Sequence, residues 1–145
     1  MSRQGGDQDL TRDVLRHIVG VIHAMKELVD GFAAEFDLTL SQLNALKNLE
    51  TPCSQRELAQ QLHFDASNVT DIVDRLEERG LVVRTVDPSD RRVRRLVLTP
   101  EGDAIRRKLF DRAIEEAPIN TLSSPEKAQL RDLLAKIADP VELPI

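Results

Sequence analysis

The sequence predicts a mainly α-helical fold with one small β-hairpin, and three observations support this prediction. Aromatic residues make up only 3% of the chain, with no Trp and no Tyr, so the core must consist of Leu, Val, Ile and Ala, which favours helices. Apolar residues recur in steps of three and four over most of the 145 residues. After Gly80 the pattern changes to two β-branched runs separated by turn residues, which is typical of a hairpin.

The first predicted element is one long amphipathic helix over residues 10–36, preceded by a polar, disordered lead-in over residues 1–8. About 26 residues at 1.5 Å each give a helix of about 40 Å, longer than a small domain needs for its own core. We therefore expect this helix to pack against a second chain, although its stripe also fits an ordinary core. The stripe consists of Leu10, Val14, Ile18, Val21, Ile22, Met25, Leu28, Val29, Phe32 and Phe36.

Residues 54–80 fit two short helices joined by a tight turn, which is the helix-turn-helix motif. Ser54 and Glu57 form a Ser-x-x-Glu capping box at its start, and Thr39 with Gln42 marks a separate short helix before it. The turn, the second N-cap and the terminating glycine are assigned to His63, Phe64, Asp65 and Gly80. The inward faces are assigned to Leu58, Ala59 and Leu62, and to Val69, Ile72, Val73 and Leu76.

The stretch DPSDRRVRRLVLTPEG, residues 87–102, concentrates positive charge in a chain of net charge −5. Residues 81–86 and 93–99 are the two predicted strands, and residues 87–90 form the turn. Five arginines against two aspartates over residues 84–95 give this segment a local charge of +3. A hairpin with an arginine-rich tip directly after a helix-turn-helix predicts a winged helix, whose second helix enters the major groove and whose tip reaches the minor groove.

Two more helices are predicted after the hairpin. Thr99 caps the first of them with Pro100 in its first turn, and Pro118 stops it after about Ala117. The last helix runs from Ser124 to about Ala138 and is ended by Pro140. Its apolar stripe is Leu130, Leu133, Leu134 and Ile137.

Taken together, these elements resemble the MarR family of bacterial transcription regulators over about residues 10–138. The stretch DPSDRRVRRLVLTPEG resembles the family's wing, and SQRELAQQL and SNVTDIVDRLEERGLVVR resemble its DNA-binding helices. The resemblance implies a homodimer that binds a pseudo-palindromic site in double-stranded DNA, and repression that is often relieved by a small aromatic ligand or by oxidation. Residues 9–36 and 103–145 then form the dimerisation region, and residues 37–102 form the DNA-binding lobe.

The resemblance also indicates which residues contact DNA. Asp90 and Arg92 match the family's wing-tip Asp-x-Arg pair, and we expect the carboxylate to fix the Arg92 side chain. Asp71 departs from the family pattern, which has a basic or neutral residue here; it could accept from a cytosine N4 or pair with Arg75 at i+4. The full expected set is Ser54, Gln55, Ser67, Asn68, Thr70, Asp71, Arg75, Asp90, Arg91, Arg92 and Arg94.

A ligand is expected to bind in a cleft between the dimer helices and the DNA-binding lobe, changing the spacing of the two lobes. The candidate wall residues are His17, Ile18, Val21 and Leu46. The absence of Tyr and Trp removes the usual stacking partners for an aromatic ligand, so the response to such a ligand stays open.

No catalytic residue, metal site or cofactor is predicted, and the chain is not expected to be an enzyme. It has no Gly-rich phosphate loop, no Ser/His/Asp order and no metal-ligand spacing. Its single cysteine, Cys53, is expected to be an ordinary loop thiol rather than a redox sensor, and a chain without a possible internal disulfide favours a cytoplasmic protein. No apolar run approaches the roughly 18 residues of a membrane span, so no membrane partner is expected. The alternative function is a winged-helix protein-interaction module that has lost DNA binding, which the acidic net charge and Asp71 would favour.

Overall fold

The computed structural model describes residues 3–139, with side chains from residue 6 onward, and it is mainly helical. The elements in chain order are α1 (Arg3–Glu35), α2 (Leu40–Asn48), β1 (Cys53–Ser54), α3 (Gln55–Leu62), α4 (Ala66–Glu78), β2 (Val82–Val86), β3 (Arg94–Leu98), α5 (Pro100–Glu115), a 3₁₀ turn (Pro118–Thr121) and α6 (Ser124–Leu134). The predicted fold class, helices with one small hairpin, is confirmed. No helix among the described residues is long and apolar enough to cross a membrane.

The chain divides into two compact units. Within the described residues, the first contains residues 3–31 and 112–139, and the second contains residues 32–111. The second unit, called the lobe below, is larger than the predicted 37–102 because Phe32, Ala33 and Leu109 are each at most 4% exposed and belong to its core. Phe32 and Ala33 lie at the end of the predicted long helix and Leu109 lies in the helix after the wing, so the sequence assigned all three to the dimerisation region.

Helix α1 begins seven residues before the predicted Leu10, so the predicted disordered lead-in is helical from residue 3, while Met1 and Ser2 lie outside the described residues. Local polar contacts continue the helix: the Thr11 hydroxyl donates to the Asp7 carbonyl at 2.9 Å, and Arg12 pairs with Asp9 at 2.8 Å. Polar contacts of this kind leave no apolar periodicity in the sequence. The predicted helix start depended on that periodicity, so it fell at Leu10.

The lobe core is built from α2, α3, α4 and the sheet. Leu43, Leu46, Leu58, Val69, Val73, Leu76, Val82 and Leu96 are all at most 1% exposed. The predicted capping boxes are present at the starts of α2 and α3, where Thr39 and Ser54 accept from the backbone N–H three residues later. Arg79 donates from the end of α4 to the carbonyls of Phe36 (2.7 Å) and Asp37 (2.5 Å), which fixes the chain after α1 against α4.

The sheet has three strands in the order β1-β3-β2, one more than the sequence predicts. Both pairings are antiparallel, and the register joins Cys53 to Leu96 and Arg84 to Leu96 on opposite sides of β3. Strand β1 is only two residues long, too short for a sequence pattern. Cys53 is therefore a buried strand residue rather than a loop thiol, and burial, followed by the nearby Glu57 carboxylate, raises its pKa.

Helix α5 starts at the predicted position, where the Thr99 hydroxyl accepts from the Gly102 N–H at 3.1 Å. The Thr99 N–H also donates to the Leu81 carbonyl at 3.1 Å, which holds the start of α5 next to the start of β2. Helix α6 begins at the predicted Ser124, with Ser123 as its N-cap, and ends at Leu134, four residues before the predicted end. The predicted stop at Pro140 lies outside the described residues.

Candidate nucleic-acid interface

Helices α3 and α4 form a helix-turn-helix within the lobe. The turn depends on His63, which has φ 54° and donates its N–H to the last turn of α3. A left-handed residue at this position reverses the chain within two residues, which lets α4 begin at Ala66. Helix α4 ends at Glu78, and Gly80, two residues later, has a φ of 68°, which matches the predicted role of a terminating glycine.

The buried face of α4 leaves its predicted DNA-contacting residues mostly in solvent. Val69, Val73 and Leu76 are completely buried against the lobe core. On the outer side, Ser67, Asn68, Asp71 and Arg75 are exposed. Asn68, Asp71 and Arg75 also line a shallow depression of about 350 Å³ between α4 and the start of α2.

Two further predicted contact residues are bound to each other. Gln55 donates its side-chain amide to the Thr70 hydroxyl at 2.6 Å, and that hydroxyl donates to the Ala66 carbonyl at 2.9 Å. Both side chains are half-buried. This pair ties the first turn of α3 to α4, a structural role that the sequence analysis did not assign to either residue.

Ser54 is committed to the capping box of α3. Its hydroxyl accepts from the Glu57 N–H at 3.2 Å, and the Glu57 carboxylate accepts from the Ser54 N–H at 2.7 Å. The second of these bonds lowers the pKa of Glu57. The Ser54 hydroxyl only accepts in this box, so a phosphate at this helix start could accept from its O–H as well as from the backbone N–H groups of Gln55 and Arg56.

The base of the wing contains a buried ionic network that the sequence analysis missed. Asp87 is 5% exposed and accepts from the Ser89 N–H at 2.7 Å, from the Ser89 hydroxyl at 2.6 Å and from the Arg95 guanidinium. These bonds, those from Ser89 first, hold the pKa of Asp87 well below its usual range. Arg95 also donates to the Pro52 carbonyl at 3.0 Å, so the network links the hairpin to the chain before β1.

The arginines of the hairpin fall into two groups. Arg84 is bound by Asp74 and Glu77 of α4, and Arg95 is bound by Asp87. Arg91, Arg92 and Arg94 are exposed, and none of them makes an ion pair with another described residue. The positive charge available to a partner therefore lies at the tip, on these three side chains.

Asp90 acts differently from the expectation. Its carboxylate accepts from the backbone N–H of Arg92 at 2.9 Å, and no ion pair with the Arg92 side chain is present within residues 3–139. The Asp90 carbonyl accepts from the Val93 N–H at 3.0 Å, which closes the turn. Asp90 thus shapes the backbone of the tip and leaves the Arg92 guanidinium free.

The anticipated ion pair between Asp71 and Arg75 is absent from the described residues, although the two lie one helical turn apart. The ion pairs of α4 run instead to Arg84 on β2, through Asp74 at 2.5 Å and through Glu77. Both Asp71 and Arg75 therefore present their charge outward.

The four predicted ligand-contacting residues lie in different units. His17, Ile18 and Val21 are on α1 in the first unit, where His17 and Val21 are exposed and Ile18 is half-buried. Leu46 is completely buried in the lobe core. Their role in ligand binding stays a prediction. No group of three or more candidate metal ligands occurs in the described part of the chain.

Comparison with known proteins gives a consistent result. Residues 38–93 match the model of the MarR family. The chain is 34% identical over 109 residues to the HTH-type transcriptional repressor MdtR of Bacillus subtilis, covering 72% of this chain and 70% of that protein. The structure of YusO from Bacillus subtilis superposes with a TM-score of 0.72 at 27% identity, covering 97% of this chain and all of that one. A mutant of S. aureus MepR bound to an oligodeoxyribonucleotide superposes with a TM-score of 0.63 at 25% identity, covering 87% of this chain and 94% of that one.

Proposed function

The chain belongs to the MarR family of winged-helix transcriptional regulators, and on this premise we propose that it binds double-stranded DNA as a homodimer and represses transcription. Helix α4 enters the major groove of each half-site, and the wing tip reaches the adjacent minor groove. The two half-sites lie about one helical turn apart. The bound oligodeoxyribonucleotide of the similar MepR structure supports DNA as the partner.

The observation that carries this proposal is the division of the hairpin arginines. Arg84 and Arg95 are occupied by carboxylates, whereas Arg91, Arg92 and Arg94 are exposed at a tip whose backbone is fixed by Asp90. A planar guanidinium is always charged and weakly hydrated, so it suits the narrow, negatively charged minor groove. The network around Asp87 holds the hairpin without using these three side chains.

The apolar surface of the first unit supports a homodimer. On α1, Leu10, Leu15, Val19 and Ile22 are 57–63% exposed. On or after α6, Leu133, Leu134 and Ile137 are also exposed. Exposed apolar side chains in this number on two helices favour an interface, and a second copy of the same chain is the commonest partner.

Repression is supported by the name of the similar repressor MdtR. Release by a small ligand is the remaining part of the proposal, with His17, Ile18, Val21 and Leu46 as its candidate contacts. Coupling between such a ligand and DNA is typically about 1–3 kcal/mol. The distance between spin labels on the two lobes, measured with and without a ligand that releases DNA, tests it; an unchanged distance contradicts it.

The test of DNA binding is a salt titration with DNA from upstream of the protein's own gene. We expect the logarithm of affinity to fall linearly with the logarithm of salt concentration, because bound arginines release counterions from phosphates. Arg92→Ala removes one contact from each protomer and should lower the slope by about 2. Arg16→Ala is the matched control, since Arg16 is a 70% exposed arginine of α1 paired with Asp13.

The acidic outer surface of α4 favours the second candidate, a protein-interaction module. Asp71 and Glu78 are exposed there. An apolar contact with a protein would not weaken steeply with salt. Absence of DNA binding, or equal binding by wild type and Arg92→Ala, would favour this candidate.

A further inference from the structure

We propose that Asp71 is a specificity-determining residue that selects cytosine at one position of each half-site. This inference rests on the proposed DNA binding, and it adds a base identity that the fold does not imply. Three observations support it: Asp71 lies on the outer side of α4, it has no cationic partner among the described residues, and the nearby carboxylates of α4 are bound by Arg84. The hydrogen-bonding groups of the major groove then indicate which base it contacts.

Asp71 is one of the two outermost side chains of α4, the other being Glu78 at the end of the helix. At 3.6 residues per turn, it points about 170° away from the mean direction of the buried Val69, Val73 and Leu76. On the same basis Ser67 lies about 150° and Arg75 about 130° from the buried face. A helix that enters a groove with its buried face toward the lobe and its N-terminal half on the bases therefore brings Asp71, rather than Glu78, close to the floor, where the base edges lie.

The Asp71 carboxylate has no internal partner among the described residues, unlike two other carboxylates of α4. Asp74 and Glu77 are both bound by Arg84 of β2. Asp71 lies one turn before the only arginine in α4, Arg75, yet the two do not form an ion pair. Nor does Asp71 cap the helix, whose N-cap is Asp65. No structural role of Asp71 accounts for a carboxylate at this position.

Placing this carboxylate in the groove without a donor would weaken DNA binding, because the phosphates on both sides repel it. The groove floor offers two kinds of donor, the N4 amine of cytosine and the N6 amine of adenine. Adenine also presents its N7 acceptor beside that amine, whereas cytosine presents no acceptor in the major groove. Guanine and thymine present acceptors to a carboxylate, so cytosine is the base that Asp71 favours.

The spacing of Asn68, Asp71 and Arg75 along α4 predicts how many base pairs of each half-site they contact. Asn68 and Arg75 lie three residues before it and four after it, so the three side chains span about 10 Å along the helix. This is about three base-pair steps of DNA. Asn68 suits adenine and Arg75 suits guanine, which places the cytosine position within a short contiguous block of specified bases.

The experiment is selection of bound sequences from a random double-stranded DNA library, followed by sequencing, with the full-length protein. The variants are Asp71→Asn and Asp71→Ala. Glu78→Gln is the matched control, since it removes the same charge from an exposed position at the end of α4. Arg75→Ala identifies the position that Arg75 reads, and circular dichroism checks that each variant is folded.

We expect wild type and Glu78→Gln to enrich the same motif, with cytosine favoured about tenfold at one position per half-site. Asp71→Ala should lose the preference at that position alone, and Asp71→Asn should shift it toward adenine. An unchanged motif in both Asp71 variants overturns the inference while leaving DNA binding intact. Loss at the position read by Arg75 also overturns it, because Asp71 would then act by orienting that arginine. If wild type recovers no DNA above a protein-free control, the proposed DNA binding itself fails, whereas recovery of DNA without a motif overturns this inference alone.

Discussion

Substitution of Gly102 by Ala tests how α5 is joined to the wing. A Cβ atom added at Gly102 would lie 2.0 Å from the Leu81 carbonyl oxygen and 3.0 Å from its carbon. About 1.4 Å of additional separation is needed to reach an ordinary contact of 3.4 Å. Both partners are backbone atoms, so no side-chain rotation can provide it. The start of α5 must move away from the segment that begins β2.

The expected cost combines three effects. Overpacking of this kind costs about 1–3 kcal/mol, and rigid backbone places it in the upper part of that range. Movement of α5 also weakens the 3.1 Å bond from Thr99 N–H to the Leu81 carbonyl, worth about 1 kcal/mol. The higher helix propensity of Ala offsets about 1 kcal/mol of this loss in stability. We therefore expect Gly102→Ala to lower the free energy of unfolding by about 2–3 kcal/mol.

The assay is urea denaturation followed by circular dichroism at one fixed protein concentration, because unfolding of a dimer depends on concentration. Gly20→Ala is the control: Gly20 lies in the interior of α1 with nothing within 4 Å of an added Cβ. That substitution should raise the free energy of unfolding by about 1 kcal/mol. The reasoning is refuted if Gly102→Ala is as stable as wild type while Gly20→Ala behaves as expected.

Three further predictions follow from contacts described above. Arg84→Gln leaves two carboxylates of α4 without their cation and should cost about 1–2 kcal/mol in urea denaturation, whereas Arg12→Gln, which breaks an exposed pair, should cost less than about 1 kcal/mol. Ile22→Asp should convert a dimer to monomers in analytical ultracentrifugation, and His23→Asp, at the next position, should not; a dimeric Ile22→Asp would contradict the assignment of the interface. The lowered pKa of Asp87 stabilises the fold above the ordinary value of 3.8, and this stabilisation is lost as pH falls through the lowered pKa. Asp87→Asn should therefore be less stable than wild type at pH 7, with a difference that shrinks below pH 4, and a constant difference would exclude this role.

The features that the sequence predicted correctly are local. The capping boxes at Thr39 and Ser54, the glycine at position 80 and the Thr99-Pro100 helix start depend on residues within one turn of each other. Their geometry follows from backbone hydrogen bonding and from φ preferences that tertiary contacts scarcely alter. The change from helical to strand periodicity after Gly80 likewise located the hairpin.

The start of α1 and strand β1 were not predicted, for two different reasons. The polar residues before Leu10 continue a helix through their own local bonds, which leave no apolar signature. Cys53 and Ser54 form a strand only because β3 lies beside them, and β3 is more than forty residues away in the chain. Such a pairing depends on the folded lobe and not on the two residues themselves.

The sequence by itself determined that a helix-turn-helix is followed by an arginine-rich hairpin, because capping, periodicity and turn chemistry act between neighbouring residues. Only the tertiary structure decided which charges remain available. Arg84 is occupied by Asp74 and Glu77, Arg95 by Asp87, and Asp71 by no described partner. These assignments depend on distances between side chains on different elements, which packing of the lobe sets. The positive charge available at the interface therefore depends on the folded lobe. The number of arginines in the hairpin overestimates this charge, because Arg84 and Arg95 are bound by carboxylates.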